Sequence, residues 1–143
     1  MAEICSENSR MTREARRRGW RAVRVTRRNN IYRPKTVKKL KKLLDPENLK
    51  KKKVERVHPH LSLPCTPFSS FSNLNLKRRA TRRGRLRIEH QRTLTRLALT
   101  RLTPLFEKLT KNKGVRYTVS FEWPKRSPGW DEEALMEFEK GAR

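Results

Sequence analysis

The sequence predicts a small α+β protein in which a largely extended and helical basic N-terminal arm precedes a compact helix–strand–helix C-terminal unit. Three observations support this fold class. Leucines recur at steps of three and four between residues 94 and 109, as on an amphipathic helix. Residues 115–123 alternate between apolar and polar side chains, as in a half-buried strand. The chain is 34% hydrophobic, below the ~45–50% of typical globular domains, so much of its basic N-terminal part is not expected to pack on itself.

Charge divides the chain into segments. Residues 1–60 carry 20 basic and 6 acidic side chains, residues 61–113 carry 13 and 2, and residues 114–143 carry 5 and 6, giving a net charge of +24. Self-repulsion of this size favours a bound polyanion in the working state. We therefore expect a basic arm with an arginine-rich helix and short Lys-rich helices at 1–57, an uncharged Pro-containing strap plus a second basic cluster at 58–84, and a small docking or dimerisation unit at 85–143.

Residues 12–28 are expected to form an arginine-rich, RNA-binding helix. Thr12 can cap its first turn, Glu14 lies where the helix dipole favours an anion, and no apolar face remains for burial. An external polyanion would order such a helix, and a solvated charged tail is the alternative. Trp20 favours RNA because an indole can stack on an unpaired base. The candidate RNA-binding residues here are Arg13, Arg16, Arg17, Arg18, Trp20, Arg21, Arg24, Arg27 and Arg28.

The segment TREARRRGWR resembles the arginine-rich RNA-binding helix of lentiviral Rev proteins, in which a Thr-Arg-x-Ala-Arg-Arg run is followed by more arginines and a tryptophan. The resemblance is confined to this segment. It implies a mode of RNA binding by residues 12–28.

Two short helices should follow. Thr36 is expected to cap a helix over 36–44, and Asp45 with Pro46 should start a second helix that runs to about residue 57. The apolar side of the first helix comprises Val37, Leu40, Leu43 and Leu44. The basic block Lys50, Lys51, Lys52 and Lys53 would add phosphate attraction that is blind to sequence.

The segment 58–76 contains no Asp, Glu, Lys or Arg but has three prolines, so it is expected to be an extended strap rather than a helix. Leu61, Leu63, Phe68 and Phe71 are the side chains that would pin it to a partner or to the C-terminal unit, and a plain linker is the alternative. The second basic cluster follows at 77–87, where Gly84 is expected to break it. It would act as a nuclear-import signal or as a phosphate clamp through Arg78, Arg79, Arg82 and Arg83, and Thr81 has the spacing of a basophilic kinase site.

The C-terminal unit begins with a core helix over about 89–112, kinked or restarted at Pro104, with Arg92, Arg96 and Arg101 toward solvent. The strand at 115–123 needs a partner, either at 73–76 or 85–89 or in a second copy of the chain. Ser127 and Pro128 should start an acidic helix that runs to Gly141 and covers the aromatic face of the strand. The candidate docking residues are Leu102, Leu105, Phe106, Leu109, Tyr117, Val119, Phe121, Trp123, Trp130 and Phe138.

Two resemblances concern this unit. Leu102, Leu105 and Leu109 are similar to the leucine-rich nuclear-export signals of Rev-type adaptors, although their helical spacing favours a role in the core. The segment YTVSF resembles the YTVSW-like strand of arterivirus nucleocapsid proteins, which implies a dimer through a shared sheet. A second strand that this family has before YTVSF is missing from the sequence.

Catalytic and metal-binding motifs are not expected. His58, His60 and Cys65 fit no common zinc spacing, and Walker, GxSxG and HExxH motifs do not occur. We expect no enzyme activity, no cofactor, no metal and no small-molecule substrate. Two lone cysteines indicate a reducing compartment, and the sequence shows neither a secretory signal nor an apolar run of ~20 residues. The expected location is intracellular, in the nucleus or nucleolus or in a cytoplasmic ribonucleoprotein, with mitochondria disfavoured, and no membrane partner.

These observations predict a non-enzymatic RNA-binding protein, ribosome-associated or of the RNA-packaging type, with a C-terminal unit that docks a protein or a second copy. The alternatives are a viral-type RNA export or nucleocapsid adaptor, a histone-like DNA-binding protein, and a protein-interaction module with a basic targeting arm.

Overall fold

The structure, a computed structural model, describes residues 2–4, 10–20, 22–25, 32–78 and 81–142. Over these ranges the chain is mostly helical with few short strands, which is broadly the expected α+β class. The helices are α1 (Arg10–Arg17), α2 (Pro34–Leu43), α3 (Pro46–Lys51), α4 (Ser70–Arg78), α5 (Arg82–Thr110) and α6 (Glu133–Ala142), with 3-10 turns at Thr66–Phe68 and Pro128–Asp131. The strands are β1 (Ala2–Ile4), β2 (Val23–Val25), β3 (Arg56–Val57), β4 (Pro59–Leu61), β5 (Arg116–Tyr117) and β6 (Ser120–Phe121).

All strand pairs in the described chain are parallel. One sheet has the order β2–β1–β4–β6, and β3 pairs with β5 beside it. Arg56 lies opposite Arg116 and Leu61 lies opposite Phe121, so every pair between the two segments is offset by 60 positions. Residues 56–61 and 116–121 therefore form one parallel ribbon. It is interrupted between the pair β3–β5 and the pair β4–β6.

This pairing corrects the expected partner of the C-terminal strand. Residues 73–76 and 85–89 are helical and cannot pair with it, whereas β3 and β4 do. Parallel strands need a long crossover, and here α4 and α5 supply it. No sequence pattern predicts this pairing, because β3 and β4 contain only two and three residues.

Helix α5 is longer than expected, with 29 residues over about 44 Å. Thr81 caps its start by accepting a hydrogen bond from the Gly84 backbone N–H at 3.2 Å, so Gly84 lies inside the helix and does not break the second basic cluster. The helix also continues through Pro104. Leu102, Leu105 and Phe106 are buried on both sides of this proline, so tertiary packing holds the backbone helical.

The core forms between α5, α6, α2 and the ribbon. Phe106 of α5 and Phe138 of α6 are both buried and meet edge to face, with ring centroids 5.5 Å apart. Leu40 of α2, Leu44 directly after α2, Leu61 of the ribbon and Leu63 after it belong to the same cluster. The core thus draws on all three predicted segments of the chain.

The strap is extended only in its first part. Leu61, Leu63 and Phe68 are buried, as expected, but Phe71 is 76% exposed. The chain turns helical at Ser70 because the Ser69 hydroxyl caps α4, accepting from the Ser72 backbone N–H at 3.1 Å, and no proline follows Pro67 in this segment.

The arginine-rich helix is half as long as expected. α1 ends at Arg17, and Gly19 adopts a left-handed φ of 75°. The Gly19 N–H donates to the Arg16 carbonyl and the Trp20 N–H donates to the Ala15 carbonyl, which is the Schellman arrangement that terminates helices. The expectation that α1 buries no face is also wrong, since Thr12 and Ala15 are buried.

Other boundaries shift by smaller amounts. Helix α2 begins at Pro34 rather than at Thr36. Helix α3 ends at Lys51, and Lys53 then adopts a left-handed φ of 54° before β3. Asp45 caps α3, as expected. Ser127 and Pro128 begin a 3-10 turn, and the acidic α-helix starts after it at Glu133.

Candidate nucleic-acid interface

Ten exposed cations lie on α2, on α3 and beside them, and we call this surface the lysine platform. Its members are Arg33, Lys35, Lys38, Lys39, Lys41, Lys42, Lys50, Lys51, Lys52 and Lys53. On α2 the lysines cover the solvent side because Thr36 and Leu40 occupy the buried side. The sequence analysis named Lys50 to Lys53 but missed the α2 lysines, although the KKLKK pattern around the buried Leu40 was a usable signal.

The platform is poorly neutralised. Residues 33–53 contain two acids, Asp45 and Glu47. The Asp45 carboxylate accepts from the Asn48 backbone N–H at 3.2 Å as the cap of α3, and Glu47 forms an ion pair with Lys50 at 3.1 Å. Nine of the ten platform cations have no ion-pair partner within the described residues.

Buried contacts hold the platform on the core. Leu40 and Leu44 belong to the core cluster, and Leu49 packs against it. The Tyr117 hydroxyl of β5 donates to the Leu44 carbonyl at 2.6 Å. Burial raises the pKa of Tyr117 to about 12, and the nearby Asp45 carboxylate adds to this increase. The platform charges are therefore carried by a packed element, which reduces the ordering cost of binding.

The described arginines of residues 13–18 are exposed, but three of them already form hydrogen bonds within the chain. Arg17 bonds Glu14 through Nε at 3.0 Å, and Arg18 bonds it at 2.8 Å, so the pKa of Glu14 is lowered by the hydrogen bond from Arg17 and then by that from Arg18. Arg16 donates to the Ala22 carbonyl at 3.1 Å. Arg13 has no such contact within the described chain, and Trp20 is 57% exposed.

Several predicted site residues cannot be placed in full. Arg21, Arg27, Arg28 and Arg79 lie outside the described residues. For Arg24 in β2 and Arg78 at the end of α4, only the backbone position is described. Residues 13–18 and 24 were expected on one continuous helix, but α1 ends at Arg17 and residue 24 lies in β2, so this expectation is wrong.

The C-terminal part of the second basic cluster, residues 82–87, lies on helix α5. Arg82, Arg83, Arg85 and Arg87 occupy the first two turns of α5 and are exposed. Their backbone positions are set by the Thr81 cap and by the continuous helix behind it.

Three arginines farther along α5 hold the fold together, although the sequence analysis placed them toward solvent. Arg92 donates to the Pro67 carbonyl at 2.9 Å and also bonds Asn73 of α4. Arg96 binds Glu132 through two hydrogen bonds of 2.6 and 3.0 Å, and the bond to this carboxylate raises the pKa of Arg96. Arg101 bonds the Tyr32 carbonyl.

The predicted docking residues divide into two groups. Those buried in the core are Leu102, Leu105, Phe106, Leu109, Tyr117, Trp123 and Phe138. Val119, Phe121 and Trp130 are half-buried and line a shallow groove of about 220 Å³ next to α6. These three side chains are the part of the prediction that remains at the surface.

One polar cluster was missed by sequence reasoning. His58 Nε2 lies 2.9 Å from the Ser120 hydroxyl, His60 Nδ1 lies 2.8 Å from the same oxygen, and His60 Nε2 lies 3.2 Å from a Glu122 carboxylate oxygen. The 60-position register brings the two histidines, Ser120 and Glu122 onto one face of the ribbon. Only long-range pairing reveals this, so no local motif could have signalled it.

The bonding geometry assigns protons within this cluster. The Glu122 carboxylate requires a proton on His60 Nε2, so a neutral His60 accepts from Ser120 at Nδ1, and the Ser120 oxygen in turn accepts from His58 Nε2–H. Burial lowers the pKa of His58, and the neighbouring His60 lowers it further. The cluster fastens the two strands to each other. Within the described residues, no group of three or more His, Cys, Asp or Glu side chains is placed to hold a metal ion.

No helix in the described part of the chain combines the length and the apolar character needed to cross a bilayer. Comparisons of the chain with protein-family models, with curated proteins and with solved structures find no match.

Proposed function

We propose that the chain is a non-enzymatic RNA-binding protein of the ribosome-associated or RNA-packaging type. The lysine platform and the arginines of α1 and α5 neutralise RNA phosphates, and the C-terminal surface docks a protein or a second copy of the chain. The observation that carries this proposal is the lysine platform, in which nine exposed cations on packed helices have no ion-pair partner among the described residues.

The physical basis is counterion release. Each cation that meets a phosphate displaces condensed salt ions, so affinity rises with the number of such contacts and falls as salt is added. A packed platform does not have to order its backbone on binding, unlike a free basic tail. RNA is favoured over duplex DNA because Trp20 is 57% exposed beside α1 and can stack on an unpaired base.

The test compares two sets of four lysines. In the platform variant, Lys35, Lys38, Lys39 and Lys42 are replaced by Gln. In the matched control, Lys108, Lys113, Lys125 and Lys140, which are exposed in the C-terminal third, are replaced by Gln. Both variants lose four charges, so a difference between them reports position rather than total charge.

Affinity for a single-stranded RNA is measured by fluorescence anisotropy between about 50 and 200 mM salt. The slope of log K against log salt should flatten by up to about 3 in the platform variant, since each lost single-strand contact contributes ~0.7. The control should change much less. Equal losses in the two variants would remove the platform from the interface, and tighter binding of duplex DNA than of RNA would favour the histone-like alternative.

The docking part of the proposal rests on β6. It is one of the two edge strands of the described four-stranded sheet. It contains the half-buried Phe121, and the half-buried Val119 and Trp130 lie beside it. An edge strand next to an apolar groove can accept an added strand. Light scattering at several protein concentrations separates a dimer, which favours the packaging type, from a monomer.

A further inference from the structure

A cleft of about 530 Å³ lies between α5 and the segment that follows β4. Pro64, Pro67 and Ile88 form apolar walls, and Arg87, His90 and Gln91 contribute polar groups from α5. No Asp or Glu lines it. Its volume is within the ~300–1,000 Å³ range of small-molecule sites, and an acid-free lining with an arginine favours an anionic ligand.

Some hydrogen-bonding groups of the cleft already have partners within the chain, and others do not. The Ser72 hydroxyl already donates to the Thr66 carbonyl at 2.7 Å, and the Thr95 hydroxyl donates to the Gln91 carbonyl at 3.1 Å. Within the described chain, the side chains of Arg87, His90 and Gln91 have no hydrogen-bond partner and are available to a ligand.

Contacts around the cleft keep it open. Arg92, one turn beyond Ile88 on α5, donates to the Pro67 carbonyl at 2.9 Å and bonds Asn73, which fixes the distance between α5 and the opposite wall. Proline restricts the backbone of that wall. The cleft is therefore preformed.

Its position links it to the cationic surfaces. It lies beyond the carboxyl end of β4, where open parallel sheets commonly bind ligands. Tyr32 lines one side and leads directly into Arg33 and the lysine platform, while Arg87 on the other side continues the basic first turns of α5. The cleft is therefore bordered by Tyr32, which precedes the lysine platform, and by Arg87 of the basic first turns of α5.

We propose that the cleft receives one unpaired nucleotide of the bound RNA, an inference that rests on the proposed function. The base inserts between the proline wall and Ile88, the Arg87 guanidinium binds the phosphate, and His90 and Gln91 donate to the base edge or the ribose. A base in a duplex is stacked on both sides and cannot enter, so the cleft selects single-stranded RNA.

The first test is an NMR titration of the full-length chain with AMP and, separately, with inorganic phosphate. AMP should perturb the Gln91 side-chain amide and the backbone amides of residues 87–91, and phosphate alone should perturb them less. Equal perturbation by phosphate would indicate a plain anion site and overturn the nucleotide assignment, as would the absence of perturbation by AMP.

The second test compares Arg87→Gln with Arg83→Gln, two exposed arginines on the same helix, of which only Arg87 lines the cleft. Both substitutions should weaken binding to duplex RNA equally. Arg87→Gln should weaken binding to a single-stranded 10-mer by on the order of tenfold more, because it removes the group that holds the phosphate of the inserted nucleotide. Filling the cleft with Ile88→Trp should produce the same selective loss. If single-strand binding falls equally in the two arginine variants, the cleft is not used although the chain binds RNA. A wild-type chain that binds no RNA overturns both proposals.

Discussion

Replacing Tyr117 by Phe tests how the lysine platform is attached to the core. The Tyr117 hydroxyl donates to the Leu44 carbonyl at 2.6 Å, and Leu44 is 2% exposed. No other donor to this carbonyl occurs among the described residues. The substitution keeps the ring and leaves a buried acceptor unsatisfied, so the free energy of unfolding at pH 7 should fall by about 1–3 kcal/mol.

The same bond predicts a dependence on alkaline pH. The pKa of Tyr117 is raised from 10.0 to about 12 in the folded chain, so the unfolded chain loses this proton first. The contribution of Tyr117 to the free energy of unfolding is therefore fully present below pH 10 and is lost as pH rises from 10 to 12. A pKa difference of this size corresponds to on the order of 2 kcal/mol. The advantage of wild type over Tyr117→Phe should shrink across this range.

Urea denaturation followed by circular dichroism at pH 7, 9, 10 and 11 measures both effects. A loss of 2 kcal/mol should lower the urea midpoint by about 1 M at an m-value of ~2 kcal/mol/M. Deprotonation of lysines affects wild type and variant alike, so the difference between them isolates Tyr117. Identical midpoints at pH 7, or a difference that stays constant up to pH 11, would refute the reasoning.

Two further predictions concern the core and the histidine cluster. Phe106 is buried, so Phe106→Ala should lower the free energy of unfolding by about 3–5 kcal/mol. Phe71 is exposed, so Phe71→Ala should change it by less than about 0.5 kcal/mol. Equal urea midpoints for the two variants would contradict the assigned core. Because the pKa of His58 is lowered below 6.5 on folding, the unfolded chain binds this proton first, and stability should decline as pH falls below about 6.5. His58→Gln, which can still donate to Ser120, should reduce that decline in thermal melts between pH 8 and pH 5, and an unchanged pH profile would contradict the assignment.

Local signals predicted the elements whose stability is local. Asp45 followed by Pro46 correctly placed the start of α3, because the cap and the fixed φ of proline act within one turn. The leucine spacing correctly located buried positions on α5, including Leu102 and Leu109. In α1 the decisive local signal is Gly19, whose role as a helix terminator was not predicted from the sequence.

Non-local features were beyond the sequence patterns. Whether residues 115–123 pair with a second copy or with residues 56–61 depends on a crossover of more than fifty residues, and no pattern in either segment encodes the register. The cluster of His58, His60, Ser120 and Glu122 depends entirely on that register. Composition likewise predicted exposed cations in general but could not identify α2 as the element that presents them.

Helix α5 shows why charge density in the sequence does not identify the binding residues. Its first buried residue is Thr95, and the exposed Arg83 and Arg87 lie two or more helical turns before it. These two arginines remain in water and keep their charge available to an external anion. Farther along, Arg92 and Arg96 lie close enough to the core and to neighbouring elements to bond Pro67 and Glu132. Arginines with the same local sequence pattern thus act differently according to whether a neighbouring element lies within reach of the side chain, and tertiary packing decides this.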